Sequence, residues 1–320
     1  MRYIDLGLKK PLSVIGVGTW QFGSKEWGYG DGYATDQARR IVERALDLGV
    51  TLFDTAEMYG FGRSERILGE ALGDRRDEAL VASKIFPVWP TGSVTQQRAV
   101  ASADRLGVQQ MDLYQVHQPN PVIRDGSTMP GMASLRRTGL VDAVGVSNYS
   151  LDRWQKADSA LGAPVLSNQV QYSLVHRDPE ADLIPFAQAN DRLVIAYSPL
   201  AQGLLSGKYD ASNRPRSGVR RVNPLFTREN LDRVRPLLDV LRDVADAHDV
   251  TSSQVALAWI VSRPNVAAIP GASSVEQLEK NVEAGELDLA TDEVRALDEV
   301  SAAFTPTSGW RSARDVAISR

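Results

Sequence analysis

The chain has 320 residues, of which 43% are hydrophobic and 24% charged, and its formal net charge is −4. This composition is typical of a globular protein with a sizeable core, and the charge gives no reason to expect nucleic acid or an anionic membrane as a partner. The chain contains no cysteine, which excludes disulfides, thiolate metal sites and a thiol nucleophile. The first residues lack the apolar core of a signal peptide, and the most apolar helical run, Val255–Val261, is too short to cross a bilayer. We therefore expect a soluble, cytoplasmic protein.

Short apolar runs alternate with longer amphipathic runs along the chain. The apolar runs predict strands at 13–18, 50–55, 79–85, 111–117, 141–148, 165–171, 193–198 and 266–270. The amphipathic runs predict helices at 36–49, 64–73, 93–107, 128–139, 150–162, 179–190, 252–263 and 274–285. Such alternation predicts parallel strands joined by crossover helices, and eight units in this length favour a closed (β/α)8 TIM barrel of the α/β class. We expect residues 1–320 to form a single domain.

Three features depart from the simplest barrel. Residues 2–7 and 12–18 predict a hairpin that covers the N-terminal end of the barrel. The basic, turn-rich stretch at 206–226 predicts a functional loop after the seventh strand. Two extra helices are expected at about 228–247 and 292–303.

Polar residues follow most of the predicted strands, where a barrel of this kind places its site. The second strand ends at Asp54, with Tyr59 on the loop after it, and the third and fourth strands end at Lys84 and His117. The other strands end near Gly18, Thr19, Trp20, Ser147, Asn148, Gln169, Tyr197 and Gly271. Core packing alone would not select polar groups at so many strand ends.

Asp54, Tyr59, Lys84 and His117 form a plausible proton-handling set. A tyrosine hydroxyl has a pKa of about 10 in water, and a nearby ammonium lowers that pKa because it favours the phenolate. Asp54 would hold Lys84 in its charged form, and His117 would orient a carbonyl oxygen. Taken singly, Asp54 could be a cap or a structural ion pair, and Lys84 could be a surface group with a buried stem. A Schiff-base lyase that uses Lys84 is the rival enzyme, but such a lysine would have to be unprotonated.

Eight short segments in order along the chain resemble the aldo-keto reductases. The segments are GVGTW, FDTAEMYG, VASKI, DLYQVHQP, VGVSNY, NQVQYS, YSPLAQGLLSGKY and IPGASSVEQLEKN. By resemblance, the family's Asp-Tyr-Lys-His tetrad falls on Asp54, Tyr59, Lys84 and His117. The resemblance implies an NADP(H)-dependent reductase of aldehydes or ketones on a (β/α)8 barrel, reversible, with Tyr59 as the general acid.

The same resemblance implies a set of cofactor-binding residues. Gly18, Thr19, Trp20 and Asp54 would lie beside the cofactor. Ser147, Asn148 and Gln169 would hold the nicotinamide carboxamide, and Tyr197 would stack on its ring. The pyrophosphate and ribose would be lined by Ser198, Leu200, Gln202 and Lys208, with Arg220 closing over them and Arg216 and Arg221 as rivals. The adenosine end would be held by Gly271, Ser273, Gln277 and Asn281, whereas Lys280 stands where the family usually has an acidic residue.

Two other classes of site, a Rossmann-type dinucleotide site and a metal site, do not match the motifs of this chain. In GVGTWQFG, Gln21 stands where a dinucleotide-binding G-x-G-x-x-G needs its third glycine, and no metal-binding spacing such as H-E-x-x-H occurs. Some relatives are cytoplasmic regulatory subunits of ion channels that keep the cofactor site, and this remains the alternative. The expected partner is a small carbonyl compound, and the oligomeric state stays open. Trp20, Trp27, Trp89 and Trp310 are candidates for an aromatic substrate pocket.

Overall fold

The computed structural model describes residues 1–22, 33–215 and 218–307. A two-stranded antiparallel hairpin, β1 (Tyr3–Ile4) and β2 (Leu12–Ser13), comes first and precedes a sheet of eight parallel strands. The parallel strands are β3 (Val17–Gly18), β4 (Leu52–Asp54), β5 (Leu80–Ile85), β6 (Met111–Val116), β7 (Val141–Ser147), β8 (Ser167–Gln171), β9 (Leu193–Tyr197) and β10 (Val266–Ala268). They pair in chain order, each with its predecessor.

The sheet closes into a barrel through its first and last strands. Ile15, just before β3, bridges in parallel to Ala268 at the end of β10. Three backbone hydrogen bonds continue this seam: Gly16 N to Ala268 O at 2.8 Å, Ala268 N to Val14 O at 2.8 Å, and Gly18 N to Pro270 O at 3.1 Å. The predicted eight-stranded TIM barrel is therefore confirmed.

Helices surround the barrel and connect its strands. They are α1 (Ala38–Asp47), α2 (Arg63–Leu72), α3 (Gly92–Leu106), α4 (Asp125–Arg137), α5 (Leu151–Leu161), α6 (Leu183–Ala189), α7 (Gly218–Arg221), α8 (Arg228–Ala247), α9 (Ser252–Val261), α10 (Val275–Glu283) and α11 (Thr291–Ala302). The two extra helices expected at 228–247 and 292–303 correspond to α8 and α11. Among the described residues, no helix is both long and apolar enough to span a membrane.

Some element boundaries differ from those expected. The strand expected at 13–18 is two strands, because Leu12–Ser13 pairs with the hairpin and Val17–Gly18 with the barrel. The helix expected at 179–190 is shorter: α6 begins at Leu183, and Asp178–Glu180 forms a separate 3-10 turn. The long loop expected after the seventh strand is present, with the short helix α7 and a 3-10 turn at Pro224–Phe226 inside it.

The core has two parts, and their arrangement positions the polar strand ends. A larger cluster fills the space between the barrel and the helices, and a smaller one fills the barrel interior and includes Leu52, Leu80, Ala82 and Leu113. Side chains two residues apart on a strand point to the same side. The interior column that begins with Leu52 therefore continues to Asp54, and the column of Leu80 and Ala82 continues to Lys84. The same alternation takes Leu113 on to Gln115 and His117.

Candidate active site

A cavity of about 610 Å³ opens at the C-terminal ends of the barrel strands. It is lined by residues that lie in or directly after seven of the eight strands, β5 being the exception. The predicted site residues in its wall are Gly18, Trp20, Asp54, Tyr59, His117, Ser147, Asn148, Gln169, Tyr197, Ser198, Leu200, Gln202, Lys208, Arg220, Gly271, Ser273 and Gln277. The strand ends thus bring together residues that are up to 259 positions apart, from Gly18 to Gln277.

Lys84 joins the carboxylate and the phenol that the sequence analysis singled out. Its Nζ donates to Asp54 Oδ2 at 2.7 Å, to the Thr55 carbonyl at 2.8 Å and to the Tyr59 hydroxyl at 3.2 Å. The Lys84 side chain is fully buried, and that of Asp54 is 3% exposed. Asp54 Oδ1 accepts a further bond from Gln169 Nε2 at 2.7 Å. Both charges are paired and hydrogen-bonded, as burial of charged groups requires.

The electrostatics of this set differ from the expectation in one respect. Burial alone would lower the pKa of Lys84, but Asp54 and Tyr59 raise it above its ordinary value, so the ammonium stays charged. We expected Lys84 to lower the pKa of Tyr59. Instead, burial raises the pKa of the phenol, and Lys84 opposes this effect without overcoming it. Tyr59 is therefore protonated at neutral pH, which is the form that can donate a proton. A charged, buried Lys84 argues against Schiff-base chemistry.

His117 lines the cavity next to Tyr59. The two rings meet edge to face with centroids 5.7 Å apart, and Phe86 packs edge-on against the other side of His117 at 6.0 Å. Burial and the charge of Lys84 lower the pKa of His117 to about 3, so the imidazole is neutral at physiological pH. Its Nδ1 is buried and has no hydrogen-bond partner among the described residues. A neutral imidazole in the cavity wall is suited to orienting a polar atom of a ligand.

The loop that carries Tyr59 is anchored to the barrel by a hydroxyl cluster. The Ser64 hydroxyl contacts Thr19 Oγ1 at 2.7 Å and Thr55 Oγ1 at 3.0 Å, and it donates to the Thr19 carbonyl at 2.9 Å. Thr19 also donates to the Asp54 carbonyl at 2.9 Å and is fully buried. Thr19 is not among the residues of the cavity wall, and its side chain supports the Tyr59 loop; its expected position beside a cofactor stays a prediction.

Amide and hydroxyl groups form the part of the cavity wall next to His117. Asn148, in the left-handed conformation with φ 62°, donates from Nδ2 to Ser147 Oγ at 3.0 Å. Its Oδ1 accepts from the Tyr197 hydroxyl at 2.9 Å. Ser147 in turn donates to the Gln169 carbonyl at 2.8 Å. These bonds fix the orientation of four predicted site residues relative to Asp54.

The segment after β9 is held in an unusual backbone conformation. Ser198, Ala201 and Gln202 all have φ between 48° and 58°, which non-glycine residues rarely adopt. Such conformations persist only where the surrounding structure offsets their cost. The Arg220 guanidinium reaches over this segment and donates to the Gln202 carbonyl at 2.8 Å. Together with Lys208, Arg220 brings two positive charges to this part of the cavity wall.

The segment before α10 forms the far end of the cavity. Gln277 Oε1 accepts from the backbone N–H of Ser273 and from its hydroxyl, both at 2.8 Å, which leaves the Gln277 amide N–H groups as the donor end. Asn281 is 3% exposed and is not in the cavity wall; its Nδ2 lies 3.5 Å from the Gly271 carbonyl. Lys280 pairs with Glu276 at 3.1 Å one turn apart and is also outside the wall. Asn281 thus supports the loop rather than lining the cavity.

Sequence reasoning missed several wall residues and included some that lie elsewhere. Gln21 lines the cavity and donates to the Ala272 carbonyl at 3.0 Å, and its only signal in the sequence is that it follows Trp20. Trp89 is 69% exposed and is not in the wall, whereas Trp20 is, 6.3 Å from the Tyr59 ring. The other missed wall residues are Gln118, Pro199, Gly203, Ile269, Pro270 and Ala272. Trp27, Arg216 and Trp310 lie outside the described residues.

The chain is similar in sequence to known oxidoreductases. Over 316 residues the chain is 59% identical to an oxidoreductase of Mycobacterium tuberculosis whose name gives no substrate, covering 99% of this chain and 98% of that protein. It is 36% identical to the chloroplastic pyridoxal reductase of Arabidopsis thaliana, covering 90% and 83%.

The fold of the chain is also similar to that of solved oxidoreductase structures. The glycerol dehydrogenase of Gluconobacter oxydans superposes with a TM-score of 0.85 at 28% identity, covering 96% of each chain. An aldo/keto reductase of Klebsiella pneumoniae, solved in complex with NADP and acetate, superposes with a TM-score of 0.75 at 27% identity, covering 96% of each chain. Residues 14–302 match the sequence profile of the Aldo/keto reductase family. The barrel, the order of its strand-end motifs and these matches show that the chain belongs to the aldo-keto reductase family of oxidoreductases.

Proposed function

We propose that this protein reduces aldehydes or ketones to alcohols with NADPH, reversibly, and that Tyr59 is the general acid. The observation that carries this proposal is the position of Lys84 Nζ, which is buried behind the cavity wall 2.7 Å from the Asp54 carboxylate and 3.2 Å from the Tyr59 hydroxyl, two groups of that wall. A relay of this kind places a proton donor beside a charge that stabilises the phenolate left after donation. The pyridoxal reductase relative, named for an aldehyde, points to the same reaction class.

Each of the four residues has a part in this reaction. The bound nicotinamide would supply the hydride that reduces the carbonyl carbon. Tyr59, protonated at neutral pH, gives its proton to the carbonyl oxygen as negative charge develops there. Lys84 stays charged beside the phenolate that forms, and Asp54 keeps the ammonium in place. Neutral His117 orients the carbonyl oxygen toward Tyr59.

The donor set of the cavity fits a nicotinamide dinucleotide. Ser147, Asn148 and Gln169 present amide and hydroxyl groups next to Asp54, which suits the carboxamide, and the Tyr197 ring beside them suits stacking on the nicotinamide. Lys208 and Arg220 supply the positive charge that a pyrophosphate requires. Gly271 lies close to Gln21 in the cavity wall: an added Cβ would lie 2.8 Å from Gln21 Oε1, so a larger residue at position 271 would require the Gln21 side chain to move. We further propose that residues 1–320 form one domain around this site.

The decisive experiment is turnover. A panel of aldehydes, ketones and sugars would be assayed by the loss of NADPH absorbance, with NADPH binding measured separately by fluorescence titration. We expect reduction of at least one carbonyl compound. If NADPH binds and no compound is reduced, the regulatory-subunit alternative is favoured. If NADPH does not bind, the cofactor assignment is wrong.

Tyr59→Phe tests the assignment of the general acid. The change removes one hydroxyl and little volume, so the fold and NADPH affinity should survive. Because general acid catalysis typically contributes about 10²–10⁴-fold, we expect turnover to fall by that factor in steady-state kinetics. Wild-type turnover in this variant would mean that another group donates the proton.

A further inference from the structure

Two residues outside the cavity wall join the Tyr59 loop to the next loop of the barrel. Glu57 lies in the loop between β4 and α2, two residues before Tyr59, and Arg98 lies on α3. We propose that Glu57 and Arg98 form a positioning pair that fixes Tyr59 and His117 relative to each other. This inference rests on the proposed carbonyl reduction for its kinetic consequence, but its structural consequence stands apart from it.

The Glu57–Arg98 pair binds both backbone groups of Phe86. Glu57 Oε2 accepts from Arg98 Nε at 2.9 Å, and Glu57 Oε1 accepts from Arg98 Nη2 and from the Phe86 backbone N–H. Arg98 Nη1 donates to the Phe86 carbonyl at 2.7 Å and makes a longer contact of 3.4 Å with the Val88 carbonyl. The guanidinium therefore bridges the Tyr59 loop and the loop that follows β5.

Each end of this bridge is one step from a catalytic group. On one side, the Glu57 backbone N–H donates to the Lys84 carbonyl at 3.3 Å, and the Tyr59 N–H donates to the Ala56 carbonyl at 3.0 Å, so the turn that carries Tyr59 is fixed around Glu57. On the other side, the Phe86 ring packs edge-on against His117. A shift of Phe86 relative to Glu57 would thus change the separation of Tyr59 and His117, whose rings are in contact.

The chemistry of the pair suits positioning rather than catalysis. Neither side chain is in the cavity wall, so neither can touch a substrate there. The Glu57 side chain is only 9% exposed and the Arg98 side chain 25%, which limits screening by solvent. A planar guanidinium can hold a carboxylate with two parallel bonds and still donate to a carbonyl, whereas a lysine ammonium acts as a point charge without this fixed geometry. The three-way arrangement therefore depends on arginine.

A second ion pair of the chain provides a matched control. Arg177 binds Glu180 with two bonds as well, at 3.0 Å and 2.5 Å, and its side chain is 23% exposed, close to the value for Arg98. Arg177 also bonds to the carbonyl of Asp298 on α11 at 2.8 Å, so the pair ties a loop to a helix. Neither Arg177 nor Glu180 lies in the cavity wall. Replacement of either arginine by lysine makes the same chemical change at similar burial.

The experiment compares Arg98→Lys and Glu57→Gln with Arg177→Lys in the full chain. The first readout needs no turnover: tyrosines labelled with ¹³C at Cζ are observed by NMR, and the Tyr59 signal is assigned through its loss in Tyr59→Phe. We expect both Arg98→Lys and Glu57→Gln to shift the Tyr59 signal, and Arg177→Lys to leave it in place. A Tyr59 signal that stays in place in both variants of the pair overturns the proposal, whatever the activity.

The second readout is the split between kcat and affinity for the best carbonyl substrate. We expect Arg98→Lys and Glu57→Gln each to lower kcat at least tenfold, with the NADPH Kd within twofold of wild type, and the double variant to lose no more than either single one. Arg177→Lys should keep wild-type kcat. Equal kcat in Arg98→Lys and Arg177→Lys would show a structural role only and would overturn the proposal. A wild-type protein without turnover would instead contradict the proposed function, and the Tyr59 signal would still decide the positioning role.

Discussion

At the scale of single residues, burial of the Asp54–Lys84 ion pair costs free energy that its effect on Tyr59 explains. Both side chains are buried, and the removal of two charges from water costs several kcal/mol per ion before their attraction is counted. Four hydrogen bonds to described groups offset this cost, from Lys84 to Asp54, Thr55 and Tyr59 and from Gln169 to Asp54. An apolar pair of the same size would suit the barrel interior better. The charges are explained by what they do to Tyr59.

Replacement of one partner should therefore cost more than replacement of both. Lys84→Met leaves the Asp54 carboxylate buried without its cation, which typically costs about 3–5 kcal/mol. In Asp54→Asn with Lys84→Met, no uncompensated charge remains, and the amide can still bond to Gln169. We expect the double variant to lose much less free energy of unfolding, measured by urea denaturation, than the sum of the losses in the two single variants. Additive losses would mean that the two charges do not depend on each other.

His117 should make stability depend on pH. The folded-state pKa is depressed to about 3, below the ordinary value of 6.5, so between these values the unfolded chain binds a proton that the folded chain does not. Stability is therefore lost as the pH falls through this window. Between pH 7 and pH 4.5 we expect this group to contribute a loss of about 2.5 kcal/mol.

The measurement compares wild type with His117→Gln by urea denaturation at both pH values. The variant lacks the titrating ring, so its stability should fall by about 2.5 kcal/mol less than that of wild type over the same interval. Parallel curves for wild type and His117→Gln would contradict the assigned shift.

At the scale of elements, two helices approach so closely that only glycine fits between them. A Cβ added to Gly131 on α4 would lie 2.6 Å from the carbonyl oxygen of Gly92, at the start of α3. Glycine in a helix normally costs about 0.5–1 kcal/mol relative to alanine. Here the close crossing outweighs that cost, so Gly131→Ala should destabilise the protein, by about 1–3 kcal/mol.

Gly126 provides the control within the same helix. A Cβ at Gly126 would meet nothing within 4 Å, so Gly126→Ala should keep the gain in helix propensity and leave stability unchanged or raise it by up to about 1 kcal/mol. Thermal unfolding of the two variants side by side separates packing from propensity. Stabilisation by both substitutions would show that the α3–α4 crossing can widen without cost.

Elements with regular periodicity could be predicted from the sequence because their periodicity reports burial directly. The strand predicted at 111–117 and the helices predicted at 228–247 and 252–263 agree with β6, α8 and α9 to within about two residues. A long series of apolar residues at regular spacing is compatible with only one type of element. Asp54, Lys84 and His117 could be predicted for the same reason. Each of them continues an inward column of side chains that starts in the apolar barrel interior.

The remaining features depend on contacts between residues distant in sequence, which no local pattern reports. The split of the first strand follows from its pairing with Tyr3–Ile4, and the 3-10 turn at Asp178–Glu180 is shorter than the windows that reveal periodicity. The position of Thr19 outside the cavity wall depends on Ser64. The pKa of Tyr59 was expected to fall because the nearby charge could be inferred from the motif, whereas the extent of burial could not.

At the scale of the whole molecule, the cavity is formed by loops that are far apart in the sequence. Its wall runs from Gly18 at the end of β3 to Gln277 on α10, and the closing bonds between the segments of β3 and β10 bring these two ends together. A ligand that spans this wall therefore stabilises the closed barrel as a unit. By linkage, a ligand that binds only the folded state raises stability by about 2.7 kcal/mol at 100 times its Kd.

This linkage provides a test of the preference between the two nicotinamide dinucleotides, which differ by a phosphate on the adenosine ribose. At the far end of the cavity, the Ser273 hydroxyl donates to Gln277 Oε1 and so leaves the Gln277 amide N–H groups as donors at the N-terminus of α10, whose backbone amides and dipole favour an anion. We therefore expect NADPH to raise the melting temperature more than NADH at equal concentration, although neither of these two side chains carries a positive charge. The double variant Ser273→Ala, Gln277→Glu should reduce the rise in melting temperature caused by NADPH more than the rise caused by NADH, because a carboxylate there would repel the phosphate. Equal shifts with both cofactors in the wild-type protein would show that this end of the cavity does not distinguish them.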